Sequence, residues 1–159
     1  MIRSESKFAE RAKNEAKTLA LASKANAKSA TQQLPRSILE YLGEFQHEDH
    51  TCIVTELAGE SLERMLKKSP YGISLPSLSC MAGQLLSALA TLEELKIVHA
   101  DVKPPNILLA DGHTSSIKLA DFSSAHLANE HTFDYAQTRL YRAPEVAMGI
   151  DSCTTPAIE

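Results

Sequence analysis

Thirteen residues, Ile97 to Leu109, read I-V-H-A-D-V-K-P-P-N-I-L-L and set an imidazole, a carboxylate, an ammonium and a carboxamide between two short apolar runs. That pattern is a polar loop bracketed by buried segments. Twelve residues after Asn106, starting at Lys118, K-L-A-D-F-S-S-A ends another apolar run on the carboxylate of Asp121. An acidic group at the end of a short strand, with Asn106 and Asp101 close by, suits a divalent cation that carries phosphates. Magnesium prefers hard oxygen ligands and takes only a few of them from protein.

His99, Asp101, Lys103 and Asn106 resemble the catalytic loop of eukaryotic protein kinases, Asp121-Phe122-Ser123 is similar to their metal-binding D-F-G, and Ala143-Pro144-Glu145 matches their A-P-E. Any one motif alone is weak, whereas three in the family's order and spacing are specific, and the resemblance covers nearly the whole chain. It implies an α+β, protein-kinase-like fold: a partial N-lobe of helix C and two strands over residues 1–57, then the first part of a mainly helical C-lobe over 58–159. The cofactors implied are ATP and Mg2+, and the partner implied is a protein substrate.

Each matching residue then has a task, because phosphoryl transfer needs the nucleophile positioned and the phosphate charge neutralised. Asp101 would accept or orient the proton of the substrate hydroxyl, and Lys103 can reach the transferring phosphate as a mobile point charge. Asn106 and Asp121 offer a neutral and a charged oxygen to metal ions bridging the phosphates. His99 is expected beneath Phe122 as a structural group rather than a base.

The segment Thr138 to Glu145, T-R-L-Y-R-A-P-E, resembles the group that includes cyclin-dependent and mitogen-activated kinases. His99-Ala100-Asp101 and the S-S-A after Phe122 narrow it towards dual-specificity tyrosine-regulated, homeodomain-interacting and pre-mRNA-processing kinases. By that resemblance Thr138 hydrogen-bonds Asp101 and Lys103, which points to serine or threonine acceptors. Tyr135 matches a tyrosine that such relatives phosphorylate on themselves, and a phosphate there could pair with Arg139 or Arg142. An ordinary packed or exposed tyrosine is the alternative.

These groups need elements to hold them. Phe8 to Ala27 is rich in Ala, Lys, Glu and Leu, with Phe8, Ala12, Ala16 and Leu19 at helical spacing, and predicts the first helix. Glu15 falls on or beside its apolar face. Periodicity alone makes it a solvated residue at the stripe's edge; resemblance makes it the helix-C glutamate that pairs with a lysine of the third strand and so helps place ATP. Asn26 to Pro35 reads as a loop. Strands are expected at Ile38 to Phe45 and Thr51 to Leu57, joined by an exposed turn carrying His47 and His50. The second strand would lead to an adenine-receiving hinge, Glu56-Leu57-Ala58, with Thr55 at the gatekeeper position. A short helix is expected over Ser61 to Lys68, a turn at Tyr71-Gly72, and a long helix over Leu75 to Leu95 with Leu78, Met81, Leu85, Leu89 and Leu92 as its core face. Ile107 to Ala110 and Ile117 to Ala120 flank an Asp111-Gly112 turn and predict a hairpin.

Four departures from the family stand out. Ala100 replaces an arginine that in many kinases reads activation-segment phosphate. Ser123 replaces the D-F-G glycine, which restricts a turn that glycine makes freely. Pro105 stands where acidic or polar residues are usual. The family's third-strand lysine and Gly-rich loop would fall upstream of Met1, no G-x-G-x-x-G occurs, and the chain ends at Glu159 where relatives begin an anchoring helix.

Composition limits the other classes. At 159 residues the chain can bury one core or two small lobes. A formal charge of -4 points to no nucleic-acid or acidic-membrane partner, and no apolar run reads as a membrane span. Cys52, Cys80 and Cys153 are odd in number and lack metal-ligand spacing, which fits free thiols in a reducing compartment, nucleus or cytoplasm. The first reading is an incomplete serine/threonine kinase domain of low activity in isolation. The second is a catalytically inactive, pseudokinase-like binding module. A small-molecule phosphotransferase of the aminoglycoside-kinase type shares the H-x-D-x-x-x-x-N loop but has no use for the Thr138 to Glu145 platform.

Overall fold

A computed structural model describes residues 2–29, 36–48, 50–110, 115–128 and 137–148. Tyr135 and the Asp111-Gly112 turn lie outside them. The described residues form four α-helices and six short strands in three two-stranded sheets, a mixed α+β chain.

Helix α1, Ile2–Ser29, is built from strong helix formers and buries Ala16, Leu19 and Ala22. The stripe continues to Asn26, so the helix takes in residues 26–29, the start of the stretch that reads as a loop, whose remaining residues 30–35 lie outside the described ones. Asn26 is only 3% exposed, and its side-chain oxygen accepts from the N–H groups of Ser37 (2.9 Å) and Ile38 (3.2 Å). A residue type that usually marks a turn serves here as a bracket between the helix and the next segment.

That segment does not begin the hairpin. Strand β1, Tyr41–His47, pairs antiparallel with β2, His50–Thr55, while Ile38 leaves them and lies parallel to Leu119. Leu39 N–H donates to the Leu119 carbonyl at 3.0 Å, and Leu119 N–H donates to Ser37 at 2.7 Å. Ile38 is thereby drawn into the core. Strand β2 ends at Thr55 rather than Leu57, which is 89% exposed.

Ser61 and Ser74 cap α2, Leu62–Lys68, and α3, Leu75–Glu94, each accepting the N–H three residues on. The buried face of α3 is rotated from the one its leucines suggest. Met81, Gln84, Ala88, Thr91 and Leu92 are buried, Leu85 and Leu89 are partly buried, and Leu78 is exposed. Gln84 explains the shift: its amide donates to Ser115 O (2.7 Å) and accepts from Ile117 N–H (3.0 Å), completing the backbone at the start of β5. By length and composition α3 could cross a membrane, contrary to expectation, although the core helix of a soluble protein meets the same criterion.

Strand β3, Ile97–Val98, pairs with β6, His126–Leu127, and β4, Ile107–Leu109, with β5, Ile117–Leu119. Ile97, Ile107, Leu109, Ile117 and Leu119 join one core with Leu19, Leu92 and Phe122, while Val98 packs with Ala100 in a second, smaller cluster. The loops between β3 and β4, and between β5 and β6, therefore emerge side by side. The last described element is α4, Pro144–Ala147.

Candidate active site

The loop leaving β3 is fixed by backbone geometry before its side chains act. Ala100 is buried and left-handed (φ 61°), and Pro104–Asn106 forms a 3-10 turn. Two prolines suit such a turn, since its first N–H groups have no partner and the ring fixes φ. This gives Pro105 a structural reason.

Asp101 sits at the centre. Lys103 Nζ donates to its Oδ2 at 2.6 Å and to Thr138 Oγ1 at 2.8 Å. Thr138 donates both its hydroxyl (2.7 Å) and its N–H (3.1 Å) to Asp101 Oδ1. Asn106 Nδ2 donates to the Asp101 carbonyl at 2.9 Å and to Oδ2 at 3.2 Å. Two donors thus reach each carboxylate oxygen, close to its full acceptor capacity. Burial alone would raise this carboxyl, but the bonds from Lys103 and Thr138 outweigh it and hold the pKa below the usual value.

His99 is fully buried, edge-on to Phe122 with ring centroids 4.8 Å apart. Its Nε2–H donates to Ala120 O at 3.1 Å and its Nδ1 accepts from Asp101 N–H at 3.3 Å, which fixes one neutral tautomer. Burial lowers its pKa to about 4 against the opposing attraction of Asp121 and Asp101. Both carboxylates are thus close enough to His99 to act on it.

Asp121 is exposed and left-handed (φ 63°), and Ala120 N–H donates to Asn106 O at 2.9 Å. Ser123 N–H (3.4 Å) and its hydroxyl (2.6 Å) both donate to Asp121 Oδ1. Ser123 has no positive φ, so the turn does not require the family's glycine here. Glu15 is half-buried, and its pKa is raised by burial and by the Asp121 charge. Among the described residues no Lys or Arg forms an ion pair with it.

The expected hinge is braced on both sides. Glu56 N–H donates to Glu40 O (3.0 Å), and its carbonyl accepts from the Thr55 hydroxyl (3.2 Å). The Glu56 N–H is thus spent on Glu40, while its carbonyl, with two lone pairs, accepts only the Thr55 hydroxyl among the described residues. Its carboxylate accepts from Glu40 N–H (2.8 Å) and pairs with Lys118 (2.9 Å), tying the hinge to β5. Ala58 is partly buried against the core. Gly59 donates to Leu109 O at 2.7 Å, and a Cβ there would stand 3.0 Å from that oxygen.

Further along the chain, Gln137 is left-handed (φ 65°) and donates its N–H to Ala100 O at 3.0 Å. Arg142 donates Nε (3.2 Å) and Nη2 (2.8 Å) to Gln137 O, and Ala143 N–H donates to Gln137 Oε1 at 2.7 Å. Arg142 is thus engaged with backbone, whereas Arg139 is exposed. Sequence reasoning passed over Gln137 and Lys118. Nothing in composition marks Gln137, but a lysine alternating with Ile117 and Leu119 was a visible signal.

No group of three or more His, Cys, Asp or Glu able to hold a metal occurs among the described residues. Asp121 and Asn106 fit a magnesium that completes its shell with phosphate and water. With Nδ2 of Asn106 spent on Asp101, its Oδ1 is the atom left for a cation.

The protein kinase domain family model matches residues 6–157. The chain is 40% identical over 116 residues to serine/threonine-protein kinase ppk5 of Schizosaccharomyces pombe, covering 72% of this chain and 14% of that protein. It is 43% identical over 107 residues to a probable dual specificity protein kinase YAK1 homolog of Encephalitozoon cuniculi, 67% of this chain and 26% of that protein. With the DYRK-family kinase pom1 of S. pombe it shares 35% over 114 residues, 71% of this chain and 10% of that protein. The chain therefore spans about a quarter or less of these relatives' lengths. The loop around Asp101, the D-F-S turn and the segment joined to them through Thr138 are those of the protein kinase domain family, to which this chain belongs, and its relatives are kinases of the YAK1 and DYRK branch.

Proposed function

We propose that this chain carries the phosphoryl-transfer site of a protein kinase that acts from Mg-ATP on serine or threonine hydroxyls of protein substrates. The observation that carries the reading is the closed set of bonds joining Asp101, Lys103 and Thr138. Asp101 is ionised at neutral pH and better suited to orient a hydroxyl than to store its proton. An acceptor hydroxyl would replace one of the four donors now on Asp101, the Asn106 contact at 3.2 Å being the longest. Lys103 lies within reach of the oxygen under attack and would offset charge on the transferring phosphoryl. The acceptor O–P bond forms as the bridging P–O bond of ATP breaks, and the acceptor proton leaves through Asp101 or to solvent. Asn106 Oδ1 and Asp121 would hold the cation, and Glu15 faces the same region from α1. When bound, magnesium supplies charge neutralisation at the phosphates. Ala58 presents its backbone at the hinge end. Arg139 remains available to a phosphate at Tyr135.

The test uses purified protein, labelled ATP, Mg2+ and a basic protein acceptor. Transfer to serine or threonine at any rate, lost on Asp101→Asn, is the expected result, with Mg-ATP raising the melting temperature. Absence of both would leave a binding module instead.

A further inference from the structure

We infer that Ser123 is a positioning residue for the metal-holding carboxylate, taking over by a side-chain hydrogen bond what the family leaves to a glycine turn. This rests on the reading of Asp121 as a cation ligand. Asp121 is exposed, with no ion pair to Lys, Arg or His among the described residues, and its left-handed backbone projects it from the end of β5. A carboxylate so placed rotates freely about χ1 and χ2 unless something holds it. Ser123 supplies two donors to one oxygen, the hydroxyl at 2.6 Å and the N–H at 3.4 Å, so Oδ1 is engaged on the side of the turn.

The consequence is directional. With Oδ1 fixed, Oδ2 is the oxygen presented outward, and the carboxylate meets a cation already oriented instead of losing rotamer freedom on binding. Glycine offers only the N–H, so the hydroxyl contact is particular to this chain's D-F-S. The backbone is not strained by the exchange, because the left-handed residue of the turn is Asp121. Ser123 is itself exposed, and removing its hydroxyl leaves no cavity.

The experiment titrates Mg2+ at fixed ATP and reads the rise in melting temperature for wild type, Ser123→Ala, Ser123→Thr and Asp121→Asn. Hydrogen-bond partners of metal ligands typically contribute 10- to 100-fold in affinity, and an exposed one belongs at the lower end. Ser123→Ala is expected to need about tenfold more Mg2+, with Ser123→Thr near wild type and unliganded melting temperatures unchanged. Equal Mg2+ dependence of Ser123→Ala and wild type, alongside loss of the response in Asp121→Asn, would overturn the role of Ser123 and leave that of Asp121 standing. A Mg2+ response intact in Asp121→Asn would remove the underlying reading, and this one with it.

Discussion

The two aspartates of the site live in opposite surroundings. Asp101 has a side chain only 12% exposed and receives bonds from Lys103, Thr138 and Asn106, three residues spread from 103 to 138. Asp121 is exposed, and the donors to its carboxylate among the described residues both come from Ser123, two positions away. A group that must aim a hydroxyl to within a fraction of an ångström gains from being held on every side. A group that must accept an incoming ion gains from an open lone pair. The contrast is therefore one between a fixed tool and a landing place, and each can be perturbed separately.

The largest expected effect lies at the fixed end. Asp101→Asn should lower phosphate transfer on the order of 10³-fold, while the Mg-ATP melting shift survives because Asp121 and Asn106 remain. Transfer and melting shift measured on one preparation would break the comparison if they fell together.

Next is pH. His99 has its pKa lowered from 6.5 to about 4, so as pH falls through 6.5 the unfolded chain takes up a proton that the folded chain refuses. Stability is complete above about pH 6.5 and should decline by roughly 3 kcal/mol towards pH 4, at 1.36 kcal/mol per unit. Asp101, lowered below the usual carboxylate value, adds a further loss only at still lower pH. Glu15, raised by burial and by the Asp121 charge, works the other way towards the acid end. Denaturant unfolding between pH 7.5 and 4 in a Glu15→Gln background checks this, and a flat profile there would show that the buried imidazole beside the aspartates is not held neutral.

A smaller change follows from Thr138→Ala, which strips one donor from Asp101 and one acceptor from Lys103. About 2 kcal/mol of stability should be lost, as for hydrogen bonds to charged groups, with most of it restored by Thr138→Ser. The smallest concerns the brace behind the landing place. Lys118→Met leaves Glu56 with only the Glu40 N–H, and should cost about 1–2 kcal/mol in unfolding, less than a fully buried pair because Glu56 is 26% exposed. Lys118→Arg should be close to neutral.

Much of this arrangement was readable beforehand because its signals are local. Apolar runs gave β4 and β5, helical spacing gave α1 and α3, and three short motifs gave the family. What could not be read was long-range or conformational. Asn26 and Gln84 look like loop and surface residues until the backbone they serve arrives from 11 and 31 positions away. Ile38 alternates like a hairpin residue, yet its partner is Leu119. Ala100, Asp121 and Gln137 adopt left-handed backbone without glycine, at a strain on the order of 1–3 kcal/mol each, and no propensity announces that. Such strain persists only where surrounding bonds enforce it, as the bond from Gln137 to Ala100 does.

The most direct test of the claim that Asp101 and Thr138 act as one unit is a double-mutant cycle in transfer rate, using Asp101→Asn and Thr138→Ala. The account predicts that Thr138→Ala slows the wild type about tenfold or more but adds little once Asp101 is gone, a coupling above ~1 kcal/mol. Independent losses that simply multiply would contradict it.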